Sequence, residues 1–336
     1  MTTTSATSSA PILSAPILSV RNLSVRFNLK GRDQQGKRKT LLAVDNVNFD
    51  VTQGKTLGIV GESGSGKTTA ALAVARLVAK EQGQIMLNGE DFGALEGKEL
   101  QLARQRVQII FQDPYSSLNP RLRAEDIVRE PLRHAGQTSR AEQDEIIDEL
   151  FQAVGLRPEQ KRLFPHQFSG GQRQRIGSAR ALAPRPSVVI CDEPVSALDV
   201  AVQAQILNLL KSLQQKFNLT YLFISHDLGV VQHMCDDIAV MYMGQIVEQA
   251  SRASFFRTQK HPYSSALLSA VPTIAGSDDG KGRQDISGPI PDLTIPQVGC
   301  RFIGRCPIAE KACGDAVPSL LPEGGKHQCA CHLVQR

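Results

Sequence analysis

Gly61-Glu62-Ser63-Gly64-Ser65-Gly66-Lys67-Thr68 matches the pattern G-x-x-x-x-G-K-[ST]. What flanks it gives the match its meaning. The apolar run Thr56–Val60 leads in as a short strand, and Thr68–Ala79, rich in Ala and free of breakers, predicts a helix. A glycine-rich turn between strand and helix aims consecutive backbone N–H groups at one centre, and the helix N-terminus adds to them. That arrangement favours a phosphate chain. The predicted nucleotide contacts are Gly61, Ser63, Gly64, Ser65, Gly66, Lys67, Thr68 and Thr69. Lys67 is placed to reach the β- and γ-phosphates, and the Thr68 hydroxyl to ligate Mg²⁺. The implied ligand is a triphosphate chain with Mg²⁺.

Working outward, Val188-Val-Ile-Cys-Asp192-Glu193 is an apolar run ending in two acids. A carboxylate at the C-terminal end of a strand faces the ligand crevice of an open α/β sheet. Asp192 is thereby a candidate for holding Mg²⁺, and Glu193 for polarising an attacking water as general base. Strands are expected over Leu18–Phe27 and Leu41–Val51, as an antiparallel pair around a polar loop, Lys30–Lys39. Others are expected at Gly83–Gly89, Val107–Phe111, Ser187–Cys191, Tyr221–Ser225, Ile238–Tyr242 and Gln245–Glu248. Helices are expected over Ala141–Val154, Gly171–Leu182 and Val200–Phe217, with Pro114–Pro165 mostly helical. Strands alternating with helices imply a mainly parallel sheet.

Composition narrows the classes. The 336 residues are 41% hydrophobic and 21% charged, which is ordinary for a globular protein. The net charge of +5 is spread along the chain, and Trp is absent with aromatics at 5%, which argues against nucleic acid as a partner. No stretch approaches the about 18 apolar residues that span a bilayer. Residues 1–19, rich in Ser, Thr and Ala with Ser-Ala-Pro-Ile-Leu repeated from Ser9 and from Ser14, predict a disordered leader over 1–16 and not an export signal. The expected location is therefore the cytoplasm, where thiols stay reduced. Of seven cysteines, five crowd the last 37 positions: Cys300, Cys306, Cys313, Cys329 and Cys331. One cluster at the end of a long chain reads as a metal site or as local bracing. Between, Pro272–Pro296 turns irregular.

Phe168-Ser169-Gly170-Gly171-Gln172 carries the decisive resemblance. It is similar to the Leu-Ser-Gly-Gly-Gln signature of ABC transporter ATPases, with Phe in place of Leu. The resemblance implies that Ser169, Gly170, Gly171 and Gln172 cap the γ-phosphate of ATP held by a second ATPase subunit. It implies that Gln112 is the glutamine sensing Mg²⁺ and the membrane subunits, and that Ser196-Ala-Leu-Asp199 is the D-loop. His226 is implied as the switch histidine on the γ-phosphate, and Phe27 as the ring stacked on adenine. The implied catalytic set is Lys67, Gln112, Glu193 and His226, with Thr68, Gln112 and Asp192 toward Mg²⁺. The fold class is α/β: a P-loop ATPase core of residues 17–260, with an antiparallel β-subdomain and a helical subdomain near 114–165. A cysteine-rich C-terminal extension follows at 261–336.

Phe111-Gln-Asp-Pro-Tyr-Ser-Ser-Leu-Asn-Pro-Arg121, Asp192–Val200 and His261-Pro-Tyr-Ser-Ser-Ala-Leu-Leu resemble the dipeptide, oligopeptide and nickel importer branch. The similarity is greatest to the F-type ATPase of a dipeptide importer. The resemblance implies a second ATPase chain, two membrane permeases and an extracytoplasmic peptide-binding protein. It places the chain on the cytoplasmic face of the inner membrane. It also implies a [4Fe–4S] cluster on Cys300, Cys306, Cys313 and Cys331, with Cys329 as the alternative fourth ligand. Four thiolates suit Zn²⁺ equally, and the spacing alone selects neither. Other readings stay open: nickel chelates or other small peptides as cargo, a non-transport ABC ATPase in DNA repair or translation, or a redox-sensing regulator.

Overall fold

The computed structural model describes residues 15–32, 36, 38–135, 139–270, 288, 294, 297–322 and 324–335. The expected leader, residues 1–16, lies outside them save for 15 and 16, as does nearly all of Pro272–Pro296.

Two sheets build the molecule. β1 (Pro16–Arg32), β2 (Arg38–Thr52), β4 (Gln82–Leu87) and β5 (Glu90–Asp91) form an antiparallel sheet in the order β2-β1-β4-β5. The second sheet has seven strands. Its centre is β3 (Thr56–Val60), with β8 (Thr220–Ser225), β7 (Val188–Asp192) and β6 (Val107–Ile110) in succession on one side. On the other side lie β9 (Asp237–Tyr242), β10 (Gln245–Ser251) and β11 (His327–Cys329). The five strands from β9 to β6 run parallel, and β10 and β11 add antiparallel at one edge.

The parallel strands are apolar at nearly every position because both faces are covered. On β8, Tyr221 and Phe223 point into one core cluster while Leu222 and Ile224 point into the other. Alternation on β7 does the same with Val189 and Cys191 against Val188 and Ile190. α1 (Lys67–Val74) covers the second face. The first face takes α3 (Ala124–Ala135), α4 (Arg140–Ala153), α5 (Gly170–Leu182), α6 (Val200–Phe217) and α7 (Leu228–Met234). α2 (Gly97–Ala103) leads through a 3-10 turn at Arg104–Arg106 into β6, and α8 (Arg252–Arg257) and α9 (Pro262–Ser269) follow β10. Among the described residues no helix is long and apolar enough to cross a membrane.

Most expected elements stand within two residues of where the sequence puts them. α1 is shorter: it stops at Val74 instead of Ala79. Arg76 takes a left-handed backbone (φ 58°), and its guanidinium donates to the carbonyls of Phe92, Gly93 and Leu95. β10 is longer than expected and runs to Ser251, because β9 and β11 pair with it on both edges. β11, near the end of the chain, thus adds an edge strand to the main sheet.

Candidate functional site: a nucleotide site at the strand ends

The register of the parallel strands brings the candidate residues to one edge. Val60 pairs with Ser225, Asp192 with Ile224, and Ile110 with Cys191. Glu193, His226 and Gln112 therefore leave the sheet beside the loop that starts at Gly61. This is where ligands bind in open α/β sheets.

The loop closes on itself around Lys67. Lys67 Nζ donates to the carbonyls of Gly61 and Glu62, both at 2.8 Å. The lysine is buried, and burial pulls its pKa below the ordinary value, opposed by Glu193, Asp192 and Glu62. Glycine is required at 61 and 66: a Cβ at Gly61 would strike the Met241 carbonyl, and one at Gly66 the Ala43 carbonyl. Ser63 and Gly64 are exposed, Ser65 is buried, and Thr69 is half-buried on α1.

Thr68 Oγ1 donates to Asp192 Oδ1 at 3.0 Å. Burial raises the Asp192 pKa, with the Thr68 bond opposing. A hydroxyl and a carboxylate side by side are the donors a hard divalent cation takes. Glu193 has a left-handed backbone (φ 46°) and both carboxylate oxygens engaged. Oε2 accepts from Gln112 Nε2 at 3.0 Å, and Oε1 faces His226 Nδ1 at 3.0 Å. A carboxylate held between an amide and an imidazole is fixed in direction, and at 16% exposure it still meets solvent, which suits a base acting on a water.

The signature stretch stands elsewhere. Ser169 caps α5: its hydroxyl accepts from the Gln172 N–H at 3.3 Å, and its own N–H donates to Gln172 Oε1 at 3.0 Å. The exposed hydroxyl acts in that cap as an acceptor, so it keeps a proton to donate to an anion. Gly171 is buried against α6, where an added Cβ would lie 2.5 Å from Val202 Cγ1. Phe27 lies on β1 opposite Leu41, half-buried against the second core cluster. Asp199 caps α6 by accepting from the Val202 N–H at 2.9 Å.

Of the five clustered cysteines, Cys300, Cys306, Cys313 and Cys331 line one small pocket together with His332, and Cys329 does not. Burial raises the thiol pKa of Cys300 and Cys306, and nearby cysteines add to it. Among the described residues no group of three or more His, Cys, Asp or Glu is disposed to hold a metal ion. The four thiols share a pocket without standing at ligand geometry. Cys329 instead lies in β11, opposite Glu248, and burial raises its pKa too.

Sequence reasoning missed two residues of this region. Tyr263 and Arg305 both bind Glu62, a position the motif leaves free. The stretch from His261 pointed to Tyr263 without giving it a role, and Arg305 had no signal.

Comparison with known proteins agrees with the geometry. The family described as ABC transporter matches residues 44–196, and the one described as oligopeptide/dipeptide transporter, C-terminal region, matches 247–313. The chain is 44% identical to the oligopeptide transport ATP-binding protein AppF of Bacillus subtilis, covering 89% of this chain and 92% of that one. It is 46% identical to a putative peptide import ATP-binding protein of Brucella ovis, covering 88% and 93%. Among solved structures, the dimeric ATP-binding cassette MJ0796 bound to ADP and Pi is similar at a TM-score of 0.62 and 27% identity, over 70% of this chain and 98% of that one. The chain therefore belongs to the ABC transporter ATP-binding proteins, in the branch that carries the oligopeptide/dipeptide C-terminal region.

Proposed function

We propose that this chain is the ATP-hydrolysing subunit of an importer for dipeptides or oligopeptides, powering uptake through separate permease chains. The observation that carries it is the Glu193 carboxylate bracketed by Gln112 and His226 beside Lys67 and Asp192. Lys67 exchanges the Gly61 and Glu62 carbonyls for phosphate oxygens. Thr68 and Asp192 would hold Mg²⁺, which neutralises phosphate charge. Glu193 takes the proton of the attacking water, and His226 contacts the γ-phosphate. Phe27 stacks on adenine. Ser169 to Gln172, with the Ser169 hydroxyl exposed at the start of α5, serves ATP on a second ATPase subunit.

The cassette is residues 17–260, with the helical subdomain near 114–165, and the extension is 261–336. The assembly has two permeases and an extracytoplasmic binding protein, and the chain lies on the cytoplasmic face of the inner membrane. The test is uptake of a labelled dipeptide into membrane vesicles of the assembled complex. ATP-dependent uptake that Lys67→Ala abolishes is expected. Uptake of nickel chelates and not peptides would overturn the cargo reading.

Within the extension, Cys300, Cys306, Cys313 and Cys331 are the ligands of a [4Fe–4S] cluster. The donor set supports this, since four thiols on one pocket satisfy the cluster's ligand count. Iron and sulfide content of anaerobically purified protein tests it. Cys331→Ser should lower both and Cys329→Ser should not. Stoichiometric zinc, or no metal, would refute the assignment.

A further inference from the structure

The phosphate-binding loop is gripped from outside by the C-terminal extension. Glu62 is held at both its backbone and its side chain. Its N–H donates to the Tyr263 hydroxyl at 2.9 Å. Its carboxylate accepts from both arms of Arg305, Nη1 to Oε2 at 2.9 Å and Nη2 to Oε1 at 3.1 Å. The same guanidinium donates to the Tyr242 hydroxyl at 3.3 Å.

These contacts sit on a rigid base. The rings of Tyr242 and Tyr263 lie 4.6 Å apart, and Phe302 packs on both, at 5.3 Å and 5.5 Å. Tyr263 and Phe302 are buried, and the Arg305 side chain is 7% exposed. A two-pronged arginine–carboxylate pair fixes direction as well as distance. Burial opposes the Arg305 charge, yet the bonds to Glu62 and Tyr242 outweigh it and raise its pKa. Glu62 is also the residue whose carbonyl accepts from Lys67 Nζ. A short chain of contacts thus runs from Arg305 through Glu62 to the lysine.

We propose that Arg305 and Tyr263 are positioning residues of the nucleotide site: they fix the Glu62 peptide, and with it the curvature of the loop and the place of Lys67. The extension is then a brace on the P-loop, and nucleotide affinity depends on it. Neither residue touches the reacting atoms. The inference rests on residues 61–68 being the nucleotide loop.

The test uses the full chain in its membrane complex, with a fluorescent ATP analogue and Mg²⁺ as the probe. Arg305→Gln should raise Kd and KM by about tenfold, the weight of one charge-assisted hydrogen bond, with kcat changed less than about threefold. Glu62→Gln should match it. The exchange pair Glu62→Arg with Arg305→Glu should recover part of the lost affinity. Gln335→Ala is the control: it removes bonds to the carbonyls of Ser319 and Cys329 inside the extension, away from the loop, and should leave Kd unchanged. An unchanged Kd in Arg305→Gln, or an equal rise in Gln335→Ala, overturns the brace. Failure of the wild-type complex to bind the analogue would instead overturn the reading of residues 61–68.

Discussion

Glu193→Gln separates charge from shape at the site. Glutamine has the same length as glutamate, and the left-handed backbone at this position (φ 46°) is no harder for one than for the other. The backbone N–H keeps its bond to the Ile224 carbonyl at 3.1 Å. The introduced amide can turn its oxygen toward Gln112 Nε2 and its nitrogen toward His226 Nδ1, so both 3.0 Å contacts survive. What is lost is the basic lone pair and one negative charge beside Lys67. Removing a general base slows the chemical step by about 10²–10⁴-fold, a barrier increase of about 2.7–5.4 kcal/mol. The expected result is a kcat lowered by that factor with Mg-ATP affinity within about threefold of wild type, since the loop and Lys67 are untouched. Phosphate release and equilibrium ATP binding, both on the assembled membrane complex, measure the two. A kcat within about tenfold of wild type would refute the base. Equal loss of binding and turnover would mean that Glu193 holds the site together and does not do its chemistry.

Asp192→Asn tests the electrostatics through pH. Burial raises the Asp192 pKa, so the folded state holds this proton more tightly than the unfolded chain, and wild type loses stability as pH rises through the raised value. Asparagine does not titrate, so the melting temperature of the variant minus that of wild type should grow from acid to neutral pH, and a gap that shrinks would contradict the sign. Gly171→Ala places a methyl 2.5 Å from Val202 Cγ1 and should cost about 1–3 kcal/mol in a denaturant titration. Adding Val202→Ala should return part of it, and strict additivity of the two changes would argue against the clash. Glu248→Ala empties a fully buried site that accepts from the N–H groups of Lys260 and His261, both at 2.8 Å, and faces His327 Nε2 at 2.6 Å. Each orphaned donor costs about 1–3 kcal/mol, so β11 should loosen. Hydrogen exchange at the Ala330 amide, bonded to the Val247 carbonyl, should accelerate, and unchanged protection would show that the strand is held by other means.

Whatever depended on neighbours along the chain was legible from residue types. The glycines around Lys67, the apolar run into Asp192-Glu193, and the signature at Ser169 are local patterns, and each implied its place at the end of a strand or the start of a helix. α6 agrees with its expected span because its stops are local: Asp199 caps the start, and Asn218 ends it in a left-handed turn. The ATPase reading follows from these patterns without any tertiary contact. Where a distant segment intervened, residue types were silent. α1 ends early because Arg76 is drawn to carbonyls at 92–95, and β10 runs on because β11 arrives from almost eighty residues later. The resemblance put Cys331 first as the fourth ligand and kept Cys329 as the alternative. The structure separates them, since pairing of β11 directs Cys329 to the sheet while Cys331, past the strand, reaches the thiol pocket. Glu62 looked like filler in its motif. Only the folded chain puts Arg305 and Tyr263 against it, across more than two hundred residues, because an ion pair between distant segments leaves no periodicity in the sequence to read.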